Sequence, residues 1–166
     1  MIGAVDRRVQ PVTMELVGTV DQGAQLVEDD TLRVLRVRWP VVAGVFGEGL
    51  LLEPRGDVAL NVLVLPDAGQ SPEQLCGFLA AEKSSAYPWW LARNGCRVLV
   101  MTLIDRSDEW SGSAEVAWTN VPHREWIYRQ AFELGRHIIG YEVLKAESAI
   151  GWLASRPDHA PLALAG

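Results

Sequence analysis

The spacing of apolar residues changes along this chain, and each change predicts a different element. Residues 1–30 are polar and irregular. In TLRVLRVRWP (31–40), Leu32, Val34, Arg36 and Arg38 alternate with Arg33, Leu35 and Val37, a rough two-residue period that marks a strand. A link containing Gly44 and Gly47 leads to EGLLLEP, and two β-type runs joined in this way predict an antiparallel hairpin, closed by a turn at Arg55-Gly56-Asp57. VALNVLVLP (58–66) and CRVLVMTLI (96–104) are apolar almost throughout. Short unbroken Val- and Leu-rich runs predict strands covered on both faces, as in a parallel sheet flanked by helices. APLALAG (160–166) begins a third strand of this kind.

Between these runs the period lengthens. A helix is expected from 72 to about 81, and YPWWLARNG links it to the next strand. Residues 107–122 form a long irregular stretch, of the kind that in compact domains covers or builds a site. From 123 to 155, Ile127, Ala131, Leu134 and Ile138 step by four, three and four, and Ile139, Val143, Ala146, Ile150 and Leu153 continue on an adjacent stripe. Gly135 and Gly140 predict a kink or a break there. Trp89, Trp90, Trp126 and Trp152 follow the apolar pattern and are expected to pack.

Hairpin, strand, helix, strand, helix, strand is the order of an α/β domain with a mostly parallel sheet and right-handed crossovers. That domain is expected over 31–166, behind an irregular segment at 1–30. An apolar strand at a terminus leaves a bare hydrogen-bonding edge, so the domain is expected to be incomplete and to continue in a longer parent chain.

Composition narrows the partners. The chain has 166 residues, of which 49% are hydrophobic and 22% charged, so it can bury a core and is not a disordered segment. Its net charge is −6 and its fifteen Lys and Arg are scattered, which argues against a nucleic-acid partner. No apolar run approaches the roughly 18 residues that span a bilayer, and no signal peptide is visible in the first thirty residues. Three His without CxxC or HxxxH spacing make a metal site improbable. Cys76 and Cys96 read as small buried hydrophobes, with one disulfide as the alternative.

The candidate chemistry begins at Gly69-Gln70-Ser71-Pro72-Glu73, one residue short of a G-x-S-x-G nucleophile signature. Such a serine needs small neighbours on a strained turn, which proline and glutamate do not provide. Ser71-Pro72-Glu73-Gln74 instead has the grammar of an S-x-x-Q capping box with proline at the first helical position. The residues before it connect a buried strand to a helix start, where open α/β sheets place ligands. Ala68, Gly69 and Gln70 could each offer a backbone N–H to an oxyanion, or could simply form a strand-to-helix turn. Asp67 and Arg106 lie at the same sheet edge. Arg106 could hold a substrate carboxylate or a carbohydrate hydroxyl, or could pair with Asp105, Asp108 or Glu109. Trp110 and Trp118 could stack on sugar rings, and His123 and Arg124 at a helix start could touch substrate. For His123 the alternative is a surface or capping role. His137 and His159 read as structural, and Arg136 and Glu142 as ion-paired within the helix layer.

RWPVVAGVFGEGLLLEP, VLVLPDAGQSPEQL, VLVMTLIDR and PHREWIYRQAFELGRHIIGYEVLKAESAIGWLAS together resemble the front half of an α/β-hydrolase. The resemblance is to acetyl xylan esterases and dienelactone-hydrolase-like esterases of bacteria, over about residues 15–166, and is strongest at Leu103-Ile104-Asp105-Arg106 and over 123–153. It implies that LALAG is the strand before the nucleophile elbow, and that nucleophile, acid and histidine lie downstream in that order. The resemblance further implies an ester substrate, small or carbohydrate-borne, and no cofactor. Two functions follow. One is the N-terminal part of a carboxylic-ester hydrolase, contributing the oxyanion loop while lacking the catalytic triad. The other is a non-catalytic domain of the same fold, kept for binding or scaffolding in a larger protein.

Overall fold

A computed structural model describes residues 3–79, 86–107 and 121–166. The hairpin is β3 (Leu32–Val42) and β4 (Val45–Pro54), antiparallel from Leu32↔Pro54 to Val42↔Val45. The central strands are β5 (Leu60–Val64) and β6 (Cys96–Met101), and the last is β7 (Leu162–Ala165). Residues 1–30 hold more than an irregular lead: β1 (Glu15–Leu16) and β2 (Gln25–Glu28) both pair antiparallel with β3. These short strands carry no run long enough for periodicity to reveal.

The sheet runs β1-β3-β4-β6-β5-β7, with β2 also on β3. β5 lies parallel between β6 and β7, whereas β4 meets β6 antiparallel. The sheet is therefore mixed rather than mostly parallel, with parallel pairing confined to the three strands that carry the continuous apolar runs.

The runs of β5 and β6 are apolar because both faces are covered, whereas β7, expected to be covered on both faces, is an edge strand with Leu162 and Leu164 exposed. Leu63, Leu99 and Met101 join Leu35, Val37 and Trp39 in one core, beneath Leu144, Ala149, Trp152 and Leu153 of α4 (Ile138–Ala154). Val62, Val64, Val98 and Val100 face the opposite way, into a second core with Leu50, Leu52, Leu75 and Ala92. Successive strand side chains alternate between faces, so each run feeds both cores. Gly49 sits where β4 meets β6, and a Cβ there would lie 2.1 Å from the Val100 carbonyl oxygen.

The helices depart from expectation in two places and meet it in a third, the break at Gly135. The helix expected from 72 to about 81 is one turn, α1 (Pro72–Leu75), after which Gly77 takes φ +78°. The supposed link is partly a helix, α2 (Tyr87–Arg93), with Pro88 in its first turn and Gly95 (φ +84°) just beyond its end. The long C-terminal helix is broken into α3 (His123–Glu133) and α4, with Gly135 at φ +69° and the His137 ring capping Ile139 N–H. Trp152 and Trp89 join the cores, but Trp90 and Trp126 are more than half exposed.

Arg97 was not anticipated. This buried side chain lies near the amino ends of the parallel strands, donating to Asn61 Oδ1 at 2.9 Å and Asp158 Oδ2 at 2.7 Å. Its Nε lies 3.4 Å from Glu53 Oε1, within ion-pair range but without hydrogen-bond geometry. One guanidinium thus ties β4, β5, β6 and the approach to β7 together.

Candidate functional site

β5, β6 and β7 all end at one edge of the sheet, so the segments after them share that edge. Ser71 lies just beyond it as a helix cap: its Oγ accepts Gln74 N–H at 3.2 Å, and Gln74 Oε1 accepts Ser71 N–H at 2.8 Å. Both halves of the capping box are formed, and Ser71 backbone is ordinary extended chain (φ −80°, ψ 156°). Nothing strains the serine towards a nucleophile's pose.

The three candidate N–H groups are not equivalent. Gly69 N–H donates to Asp67 Oδ1 at 3.3 Å, and Gln70 N–H to the Asp67 carbonyl at 2.9 Å. Ala68 N–H donates to no acceptor among the described residues, although Ala68 is only 7% exposed. An amide without a protein partner is free to donate to a ligand oxygen. Asp67 organises this loop from both sides, because Oδ1 also accepts from Arg106 at 3.0 Å. Arg106 therefore pairs across the edge with Asp67, rather than with Asp105 beside it.

Arg124 is directed inward. Its guanidinium forms a fork on Glu142, at 2.5 and 2.8 Å, and also donates to the Ile104 carbonyl at 3.1 Å. The Glu142 carboxylate, with the charge of Asp67 nearby, pushes the Arg124 pKa above its ordinary value despite partial burial. His123 Nδ1 lies 3.2 Å from Asp105 Oδ1. Arg136 and Glu142 do not pair with each other: Arg136 holds Asp6 of the N-terminal segment at 2.7 Å. Lys145, one turn after Glu142, has its pKa lowered by burial, opposed by Glu142 and Glu48. The edge thus gathers Asp67, Ala68, Asp105, Arg106, His123, Arg124 and Glu142, and its arginines are already engaged by carboxylates. Trp110 and Trp118 lie outside the described residues, as do Asp108 and Glu109.

Cys76 and Cys96 are free and buried, and burial pushes the Cys76 thiol up to about 12, which leaves it protonated and unreactive at neutral pH. Among the described residues, no group of His, Cys, Asp and Glu is arranged to hold a metal ion, and no helix is long and apolar enough to cross a membrane.

This fold has counterparts among solved structures, and the chain resembles several of them. It superposes on a protein described as an acetyl xylan esterase from Bacteroides fragilis with TM-score 0.66, at 13% identity and over 92% of this chain. The fold is α/β-hydrolase-like. Acetyl xylan esterases from a Paenibacillus species (TM-score 0.49, 13% identity, 93% of this chain) and a Thermoanaerobacterium species (0.48, 10%, 87%) also match. The chain spans 41% of the Bacteroides chain's length, 45% of the Paenibacillus chain's and 41% of the Thermoanaerobacterium chain's. No protein-family model matches, and no curated protein matches.

Proposed function

We propose that this chain is the N-terminal half of a carboxylic-ester hydrolase acting on acylated carbohydrate, and that it contributes the oxyanion-binding loop. The observation that carries this reading is the backbone N–H of buried Ala68, which meets no acceptor among the described residues, at the carboxyl edge of the parallel strands. In α/β-hydrolases the loop after the equivalent strand supplies one of the two N–H groups that hold the tetrahedral oxyanion. β7 runs parallel beside β5, and a Cβ on Gly166 would lie 3.1 Å from the Leu65 carbonyl oxygen. A nucleophile introduced by the parent chain just after β7 would therefore emerge beside the Ala68 loop. Ester carbonyl, attacking atom and N–H donor would then converge, with no cofactor in the mechanism.

Asp67 acts here as a positioning residue. By engaging Gly69 N–H and Arg106, it fixes the loop with Ala68 N–H left over. The test is hydrolysis of p-nitrophenyl acetate by the parent protein. Ala68→Pro, which removes the N–H, is expected to lower kcat by about 10²–10³, the range seen when one oxyanion donor is lost. Ser71→Ala is expected to leave kcat unchanged. A fully active Ala68→Pro enzyme would remove the loop from the mechanism. A parent with no esterase activity would return the chain to a non-catalytic binding or scaffold domain of this fold.

A further inference from the structure

A cavity of about 430 Å³ opens between α3 and the start of α4, on the side where Arg106 reaches across to Asp67. Its walls are mostly apolar, formed among others by Pro122, Tyr128, Ile138 and Ile139, with the His137 ring packed edge-on against Tyr128 at 4.9 Å between centroids. The cavity is broadly open to solvent on one side, and its volume lies within the range of small-molecule sites.

The charged residues around this cavity are already matched. Arg106 is paired with Asp67, Arg124 with Glu142 and the Ile104 carbonyl, and Glu125 with Arg129. An anion entering here would compete with an existing carboxylate for each guanidinium, so the cavity suits an uncharged guest. His137 leaves one donor for such a guest. Its Nδ1 accepts Ile139 N–H, which in the neutral ring places the proton on Nε2.

We propose that this cavity binds the uncharged apolar part of an ester, an aryl or medium-length alkyl group larger than acetyl. That the guest is an ester rests on the proposed function; its being apolar and uncharged rests on the cavity itself. Because Arg106 connects the cavity wall to the Ala68 loop through Asp67, the reacting carbonyl and the apolar group would belong to one substrate.

The test is binding to the 166-residue chain, followed through labelled isoleucine methyl resonances, with methyl hexanoate, methyl acetate and sodium hexanoate as probes. Methyl hexanoate is expected to shift Ile138 and Ile139 saturably and to bind at least about tenfold more tightly than methyl acetate, since each buried methylene adds to affinity. Sodium hexanoate is expected to bind more weakly than its methyl ester. Ile139→Trp, which fills the cavity from a partly exposed position, is expected to abolish the shifts. Wild-type affinity in a folded Ile139→Trp protein, equal binding of acetate and hexanoate esters, preference for the anion, or shifts confined to other isoleucines would each overturn the proposal. If Ile139→Trp does not fold, the wild-type methyl map and the probe series decide alone. No turnover enters this experiment. Binding with an inactive parent would sink the hydrolase reading and keep the cavity, and an active parent without binding would do the reverse.

Discussion

Ser71 holds two hydrogen bonds of a one-turn helix, so its replacement has a structural consequence and no chemical one. Ser71→Ala is expected to cost about 1 kcal/mol, the usual worth of a capping side chain, measured by urea unfolding. The larger residue-scale effect is expected at Arg97, where the side chain is 5% exposed and satisfies Asn61 and Asp158 together. Arg97→Ala strands those partners, and because Asp158 is itself partly solvated, a loss of about 3 kcal/mol is expected, at the low end for a broken buried pair. A denaturation midpoint within error of wild type would show that the cluster contributes nothing. Capping at Ser71 was legible because its rule is local, needing four residues and no fold. Arg97 was not, because a lone arginine in an apolar run carries no mark of its partners, which lie 36 and 61 positions away. The same limit applies to the candidate site. Sequence could nominate Ala68, Gly69 and Gln70 together, but only the folded loop tells which N–H groups Asp67 occupies.

At the scale of elements, local chemistry predicts ends better than extents. The apolar runs yielded β5 and β6 because a strand buried on both faces needs no period, only length and β-branched residues. β7, Leu-Ala-Leu-Ala, is a strand as expected but an edge strand with its leucines exposed. α2 was missed although its signals were present: proline in the first turn and glycine beyond the last. Two tryptophans and a tyrosine blurred the apolar spacing, and Trp90 proves to be exposed. Asp29 ties this helix to the sheet. One carboxylate oxygen accepts from Thr31 N–H, Thr31 Oγ and Leu32 N–H, and the other accepts from Arg93 of α2 at 2.7 Å. Those bonds, Thr31 foremost, lower the Asp29 pKa from 3.8 to about 2. A folded pKa below the unfolded one means that the stabilisation is present in full above about pH 4 and is lost as pH falls towards 2. Asp29→Asn is therefore expected to destabilise the protein at pH 6 and to flatten its stability profile between pH 4 and 2. Parallel wild-type and variant profiles over that interval would remove Asp29 as a cause of acid sensitivity. Gly49 makes the complementary case at the strand joint. Gly49→Ala drives a methyl against the Val100 carbonyl, so the antiparallel β4–β6 contact must open, and a protein lacking a cooperative thermal transition is expected.

Over the whole molecule, the mixed sheet has an asymmetry that single elements conceal. Its antiparallel flank is finished by the short strands β1 and β2 and by cross-strand charge pairs such as Arg38–Glu15 and Arg33–Glu53. Such devices blunt an edge against further pairing. The opposite flank also ends on a short strand, β7, but one without a charged side chain. β7 is bonded to β5 along one side only, and among the described residues no strand pairs its other side. Leu162 and Leu164 stand 36% and 58% exposed on this strand. An apolar edge with open N–H and C=O groups recruits another strand, which in the proposed parent would be its own continuation and in the isolated chain would be a second copy. Self-association rising with concentration is accordingly expected in sedimentation velocity. Leu164→Lys, which places a charge on the exposed face of the edge strand, is expected to return most of the protein to monomer while leaving the thermal transition near wild type. The comparison separates two sources of association. If Leu164→Lys associates as strongly as wild type, the contact lies elsewhere, for example on α3, where Trp126 and Phe132 are 55% and 63% exposed.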